Sequence, residues 1–110
     1  MFALEEYKVQ DEKIAVQTPP GLPARMVTDY IQRYLAGLPA ARASLAGLDH
    51  DALRVYGHRL KGSGSGYGVP RLTEFGALIE DAARRGDTGA LQSQFAELEA
   101  YLGRLEVIPD

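Results

Sequence analysis

The sequence predicts an all-α protein, an antiparallel up-down four-helix bundle with an extra N-terminal segment. Three observations carry that prediction. Apolar residues recur at steps of three and four in four separate stretches between Pro23 and Leu105, the spacing of helices with one buried face. Proline, glycine and aspartate part the stretches at positions suited to helix stops and starts. The connections are short, which favours antiparallel neighbours.

Residues 1–21 form an extension ahead of the bundle. Met1 to Gln10 has room for a turn or two of helix, and Lys13-Ile14-Ala15-Val16-Gln17 is β-branched enough for a short extended segment. Thr18-Pro19-Pro20-Gly21 then breaks the chain, and the bundle is expected over residues 22–106. In the first helix Val27, Ile31, Leu35, Leu38, Ala41 and Leu45 make the inner stripe. Pro39 sits inside that stripe and predicts a kink, or a break into two pieces, near residues 37–39. Asp49 suits the N-cap of a second helix over residues 50–67. Val69-Pro70 ends it, and Pro70 opens a third helix with Leu72, Phe75, Ile79 and Ala83 inward. Gly86 supplies a left-handed stop. Asp87 caps the fourth helix, whose stripe is Leu91, Phe95, Leu98, Leu102 and Leu105. The tail, residues 107–110, continues an extended stretch from Glu106 that is placed to pair with residues 13–17.

The stretch from Tyr56 to Gly68 organises the rest. Its Gly/Ser content resembles a flexible linker, yet winding it at about 100° per residue gives a helix with two different faces. Leu53, Tyr56, Gly57, Leu60, Gly64 and Tyr67 fall on one side. His58, Gly62 and Ser65 fall on the other, with Arg54 and Lys61 beside them. Each glycine inside a helix costs about 1 kcal/mol relative to alanine, so the glycines need a reason. Gly57 and Gly64 on the inner face admit a close neighbouring helix. Gly62, one turn beyond His58, clears the approach to the imidazole. Tyr56 and Tyr67 are expected to pack inward with their hydroxyls at the bundle edge.

Composition sets the outer bounds. The 110 residues make one domain, 45% hydrophobic and 25% charged, which is ordinary for a globular protein. No cysteine is present, which excludes disulfides, thiol chemistry and cysteine-based zinc sites. No apolar run approaches a membrane span and no secretory core opens the chain, so the cytoplasm is the expected compartment and no membrane partner is expected. A net charge of −3 argues against general nucleic-acid binding. Arg54, Arg59, Lys61, Arg71, Arg84 and Arg85 nevertheless gather half of the 12 basic residues around the histidine stretch, which suits an acidic surface or a phosphate.

Three groups of residues now form a recognisable set: Gly57-His58-Arg59-Leu60-Lys61-Gly62-Ser63-Gly64, then Tyr67-Gly68, then residues 78–87 from Leu78 through Glu80 and Ala83 to Gly86-Asp87. Together they resemble the histidine-containing phosphotransfer (HPt) domains of bacterial phosphorelays. The family pattern is H-x-L-K-G-S, a glycine, then L-E-x-A and G-D; here Ile79 separates the Leu and the Glu. Gly64 and Gly66 stand where Ala or Ser is frequent.

The resemblance implies a four-helix bundle with a phosphorylated histidine at His58. Lys61 would neutralise phosphoryl charge, Gly62 would give steric access, and Glu80 would orient the imidazole. Arg54, Arg59, Ser65 and Arg84 would meet the partner, with Arg84 also able to support Glu80. The implied partners are a hybrid histidine kinase and response-regulator receiver domains, and the chain is expected to be a monomer. The chain itself is expected to need no cofactor or metal, Mg²⁺ belonging to the receiver.

Neutral imidazole suits this chemistry, being a nucleophile at pH 7 with a reference pKa of about 6.5. No ATP-binding motif is present, so the expected role is that of a phosphoryl carrier rather than an enzyme. Two other readings compete: the phosphoacceptor domain of a chemotaxis-type histidine kinase, and a helical adaptor that carries no phosphate. His50 reads as a surface residue near a cap, too far along the helix from His58 to share a zinc ion without other ligands.

Overall fold

The structure, a computed structural model, describes residues 12–110. The helix expected in Met1 to Gln10 lies outside the described residues. Four helices account for most of the described chain: α1 (Ala24–Ala46), α2 (His50–Ser63), α3 (Pro70–Arg85) and α4 (Thr88–Arg104). Two three-residue strands flank them, β1 (Ile14–Val16) and β2 (Leu105–Val107).

The helices form the expected antiparallel up-down bundle, and their apolar stripes meet in one core. Val27, Leu53, Leu60, Leu72, Ile79, Leu91, Phe95, Leu98 and Leu102 are sealed from solvent. Each such side chain contributes about 1.5–3 kcal/mol on burial.

Helix α1 begins without a side-chain cap of its own, because Pro23 occupies the N-cap position. The Asp110 carboxylate takes that role from the far end of the chain, accepting from the Ala24 N–H at 3.0 and 3.2 Å. Pro39 does not divide the helix, which runs unbroken from Ala24 to Ala46. The proline is on the exposed side of the helix, and the hydrogen bond it cannot donate is the one to the Leu35 carbonyl. A turn through Leu48, at φ 56°, then leads to α2.

Asp49 caps α2, its carboxylate accepting from the Ala52 N–H at 3.1 Å. The helix ends at Ser63 rather than Tyr67. Residues Ser65–Tyr67 tighten into a 3₁₀ turn that closes at Gly68, φ 84°. Thr73 holds this turn: its Oγ1 accepts from the Ser65 N–H at 2.9 Å and lies 3.1 Å from the Ser65 hydroxyl.

Pro70 opens α3 and Gly86, at φ 64°, ends it. Asp87 caps α4 by accepting from the Ala90 N–H at 3.0 Å. Leu105 leaves the α4 stripe to become the first residue of β2. Strands β1 and β2 pair in parallel, Ile14 against Leu105 and Val16 against Val107, so the tail does meet residues 13–17.

Helices α2 and α3 approach far more closely than any other pair, and glycine is the reason. A methyl group added at Gly57 would lie 2.5 Å from the Glu80 backbone nitrogen. One at Gly76 would lie 2.6 Å from Lys61 Cα and 2.7 Å from the Gly57 carbonyl oxygen. One at Gly64 would lie 2.5 Å from the Thr73 nitrogen. This contact sets the distance between the histidine on α2 and the glutamate on α3.

Candidate functional site

The site is built across the glycine-lined contact. His58 stands on the outer face of α2, its side chain 66% exposed. Glu80, on α3, is the one charged side chain buried among the described residues, at 3% exposure. Burying a carboxylate requires partners for both oxygens. The site supplies them: Oε2 is 2.9 Å from His58 Nδ1, and Oε1 accepts from Lys61 Nζ at 2.7 Å. The Arg84 guanidinium, one turn further along α3, lies 3.5 Å from the same Oε2.

The charge state of Glu80 follows from these contacts. The hydrogen bond from Lys61 holds its carboxyl below the usual carboxylate range, assisted by the His58 hydrogen bond and the positive charges of Lys61 and Arg84. Burial opposes the shift and is outweighed. An ionised carboxylate accepts only, so His58 Nδ1 is the donor in this pair and carries the ring proton. Nε2 is then the ring atom with a lone pair. An exposed imidazole in this tautomer is a nucleophile, and two cations flank its approach.

Gly62 lies on the same outer surface, and a methyl group added there would meet nothing within 4 Å. Gly62 therefore differs in kind from Gly57, Gly64 and Gly76, whose missing side chains make room for backbone.

The residues singled out in the sequence divide into two groups. The fold gathers His58, Lys61, Glu80 and Arg84 into one cluster joined through the Glu80 carboxylate, with Gly62 beside it. The other three have different neighbours. Arg54 pairs with Asp51 within α2 at 2.9 Å. Ser65 is tied to Thr73 in the turn after α2. Arg59 turns toward a groove between α1 and α2, which Arg33, Tyr34 and Tyr56 also line.

Gly76 was not singled out, although it brings α3 against Lys61. Its signal was present: a glycine within the α3 stripe, between Phe75 and Ile79, faces the same propensity argument as Gly57. The Tyr56 hydroxyl, expected at the bundle edge, is buried without a protein partner, and burial raises its pKa. Tyr67 is half-buried and stacks on Tyr30 with ring centroids 4.0 Å apart. His50 lies at the first residue of α2, against the turn at Gly86. No group of three or more metal-ligating side chains occurs among the described residues, and no described helix is long and apolar enough to cross a membrane.

No curated protein and no solved structure matches the chain significantly. A family model does: the Hpt domain model matches residues 25–107, from the start of α1 to the end of β2, and so takes in all four helices and every member of the cluster. The chain therefore belongs to the Hpt domain family, the histidine phosphotransfer domains of two-component phosphorelays.

Proposed function

We propose that this chain is a phosphorelay intermediate, taking a phosphoryl group on His58 from a receiver-domain aspartate and passing it to a second receiver. The observation that supports this reading best is the buried Glu80 carboxylate bound to His58 Nδ1 at 2.9 Å. With the proton held on Nδ1, the Nε2 lone pair attacks the phosphorus of an aspartyl phosphate. The N–P bond forms as the P–O bond to the aspartate breaks, and the carboxylate leaves with that electron pair. The ring becomes an N-phosphorylated imidazolium whose charge rests against the Glu80 carboxylate. Transfer to a second aspartate reverses these changes, with neutral imidazole as the leaving group.

Lys61 and Arg84 supply positive charge next to the transferred group. Phosphoryl transfer depends mainly on positioning and charge stabilisation, and exposed cations on one rim suit the acidic metal site of a receiver. The receiver contributes Mg²⁺ and the aspartate. The chain contributes the nucleophile, its orientation and part of the countercharge. In this reading it has no ATP-dependent activity of its own, acts in the cytoplasm as a monomer and takes phosphate from a hybrid kinase's receiver. Arg54, Arg59 and Ser65 lie at the periphery of the partner's footprint.

Incubation with a phosphorylated receiver tests the proposal. The expected product is acid-labile, alkali-stable phosphate on this chain, discharged by a second receiver and absent in His58→Gln. Labelling retained in His58→Gln would refute the site. Labelling by a kinase core and ATP, with none from any phosphorylated receiver, would support the chemotaxis-type alternative instead.

A further inference from the structure

The close contact between α2 and α3 has a counterpart on the other side of α2. Helix α1 stands further off, and an open groove of about 570 Å³ lies between the two helices. Four of the chain's six tyrosines line it: Tyr30, Tyr34, Tyr56 and Tyr67. Their rings form a continuous wall. Tyr30 stacks on Tyr67 with an interplanar angle of 7°, Tyr34 stands edge-on to Tyr30 at 5.1 Å, and Tyr56 follows at 5.7 Å from Tyr34.

The charged groups lining the groove are Arg33 from α1 and Arg59 from α2, and no carboxylate lines it. The pairing of arginines elsewhere makes this informative. Arg42, Arg54, Arg71, Arg84 and Arg85 each reach a carboxylate, and Arg104 reaches the Glu12 carbonyl. Arg25, Arg33 and Arg59 have no such partner among the described residues, and two of these three face this one groove. Arg33 is in addition 6.0 Å from the centroid of the Tyr30 ring, the range of a cation–π contact.

We propose that the α1–α2 groove is a binding site for a small planar aromatic anion, of the aryl carboxylate class. The volume falls within the roughly 300–1,000 Å³ of sites for such molecules, which combine mostly apolar walls with a few converging polar groups. The half-buried rings of Tyr34, Tyr56 and Tyr67 give the faces and edges against which an aromatic ring stacks, and the buried Tyr30 ring supports Tyr67 and Tyr34. Each guanidinium is a planar fork matched to the two oxygens of a carboxylate, without an internal competitor to displace. Arg59 follows His58 on α2, about 100° further round the helix, so an occupant of the groove lies at the periphery of the receiver footprint proposed above. Occupancy and receiver docking then compete. That consequence rests on the proposed function, whereas the binding itself does not.

The test uses naphthalene-2-carboxylate as the probe and 2-naphthalenemethanol as its uncharged counterpart, each titrated into the whole protein by ¹H–¹⁵N NMR. The expected result is saturable binding of the acid, with shifts centred on Arg33, Tyr34, Tyr56 and Arg59, and binding of the alcohol at least about tenfold weaker. The double variant Arg33→Ala/Arg59→Ala should bind acid and alcohol alike while keeping the native unfolding midpoint. Single Arg33→Ala and Arg59→Ala variants, each losing part of the preference, keep the test intact should the double variant unfold. Equal affinity for acid and alcohol in the native protein would overturn the proposal, as would the absence of saturation. Shifts centred on Lys61 and Arg84 would also overturn it, since the anion would then be occupying the phosphoryl site.

Discussion

Replacing Gly76 with alanine probes the contact that makes the site. The added methyl group would lie 2.6 Å from Lys61 Cα, and ordinary contact begins at 3.4 Å, so α2 and α3 must separate locally by at least the 0.8 Å difference. The obstacle is backbone on both sides, and no flexible side chain can yield in its place. Overpacking of this kind costs about 1–3 kcal/mol, and the upper half of that range applies to a backbone clash. Alanine returns about 1 kcal/mol in helix propensity. The net expectation is a loss of about 1–2 kcal/mol. A shift of 0.8 Å added to the 2.9 Å between His58 Nδ1 and Glu80 Oε2 takes that pair beyond hydrogen-bonding range, so phosphotransfer should fall together with stability. Urea denaturation gives the first quantity and transfer from a phosphorylated receiver the second. Gly62→Ala is the control, because its methyl group meets nothing within 4 Å. It should stabilise by up to about 1 kcal/mol yet slow transfer by crowding the approach to His58. Equal stability changes in the two variants, or a stabilised Gly76→Ala with native transfer, would refute the reasoning.

Other expectations concern the charges and the tyrosines. Lys61→Ala should lower the phosphotransfer rate by about tenfold to a hundredfold, less than the loss of a buried oxyanion donor because Lys61 is 42% exposed. Glu80 and Asp87 both have carboxyl pKa values lowered on folding, so each contributes stability above its unfolded pKa that is lost as pH falls through the folded value. Stability should therefore decline below about pH 4.5, and Glu80→Gln should flatten part of that decline in acid denaturation. Burial pushes the Tyr30 hydroxyl up to about 12, against a hydrogen bond with Ser63 that lowers it. Folding thus favours its protonated form, a contribution present below about pH 10 and lost as pH rises through 12; spectrophotometric titration should find Tyr30 ionising above the reference value of a free tyrosine.

Much of this arrangement was legible because each helix carries its own signals. Asp49 and Asp87 cap α2 and α4, Gly86 stops α3, and the leucine stripes face the core. The outward histidine and the inward Gly57 followed from angular position alone. Sequence reasoning failed where distant parts of the chain decide the outcome. Pro39 predicted a kink or break, but α1 runs unbroken from Ala24 to Ala46, with buried Leu38 and Ala41 on either side of the exposed proline. The end of α2 depends on Thr73, a residue of the next helix, which draws Ser65 into a tighter turn. Asp110 caps a helix 86 residues away, and no local pattern signals such a contact. The resemblance implied that Glu80 orients His58 and that Arg84 can support Glu80, while the burial of Glu80 and its hydrogen bond from Lys61 emerged only in three dimensions.

The claim that Glu80 holds the proton on Nδ1 and leaves Nε2 to react is tested most directly by long-range ¹H–¹⁵N NMR of the His58 ring, before and after phosphorylation. The account predicts that the neutral ring carries its proton at Nδ1, then ³¹P coupling to Nε2 after phosphorylation. A ring protonated mainly at Nε2, or phosphate attached to Nδ1, would contradict it.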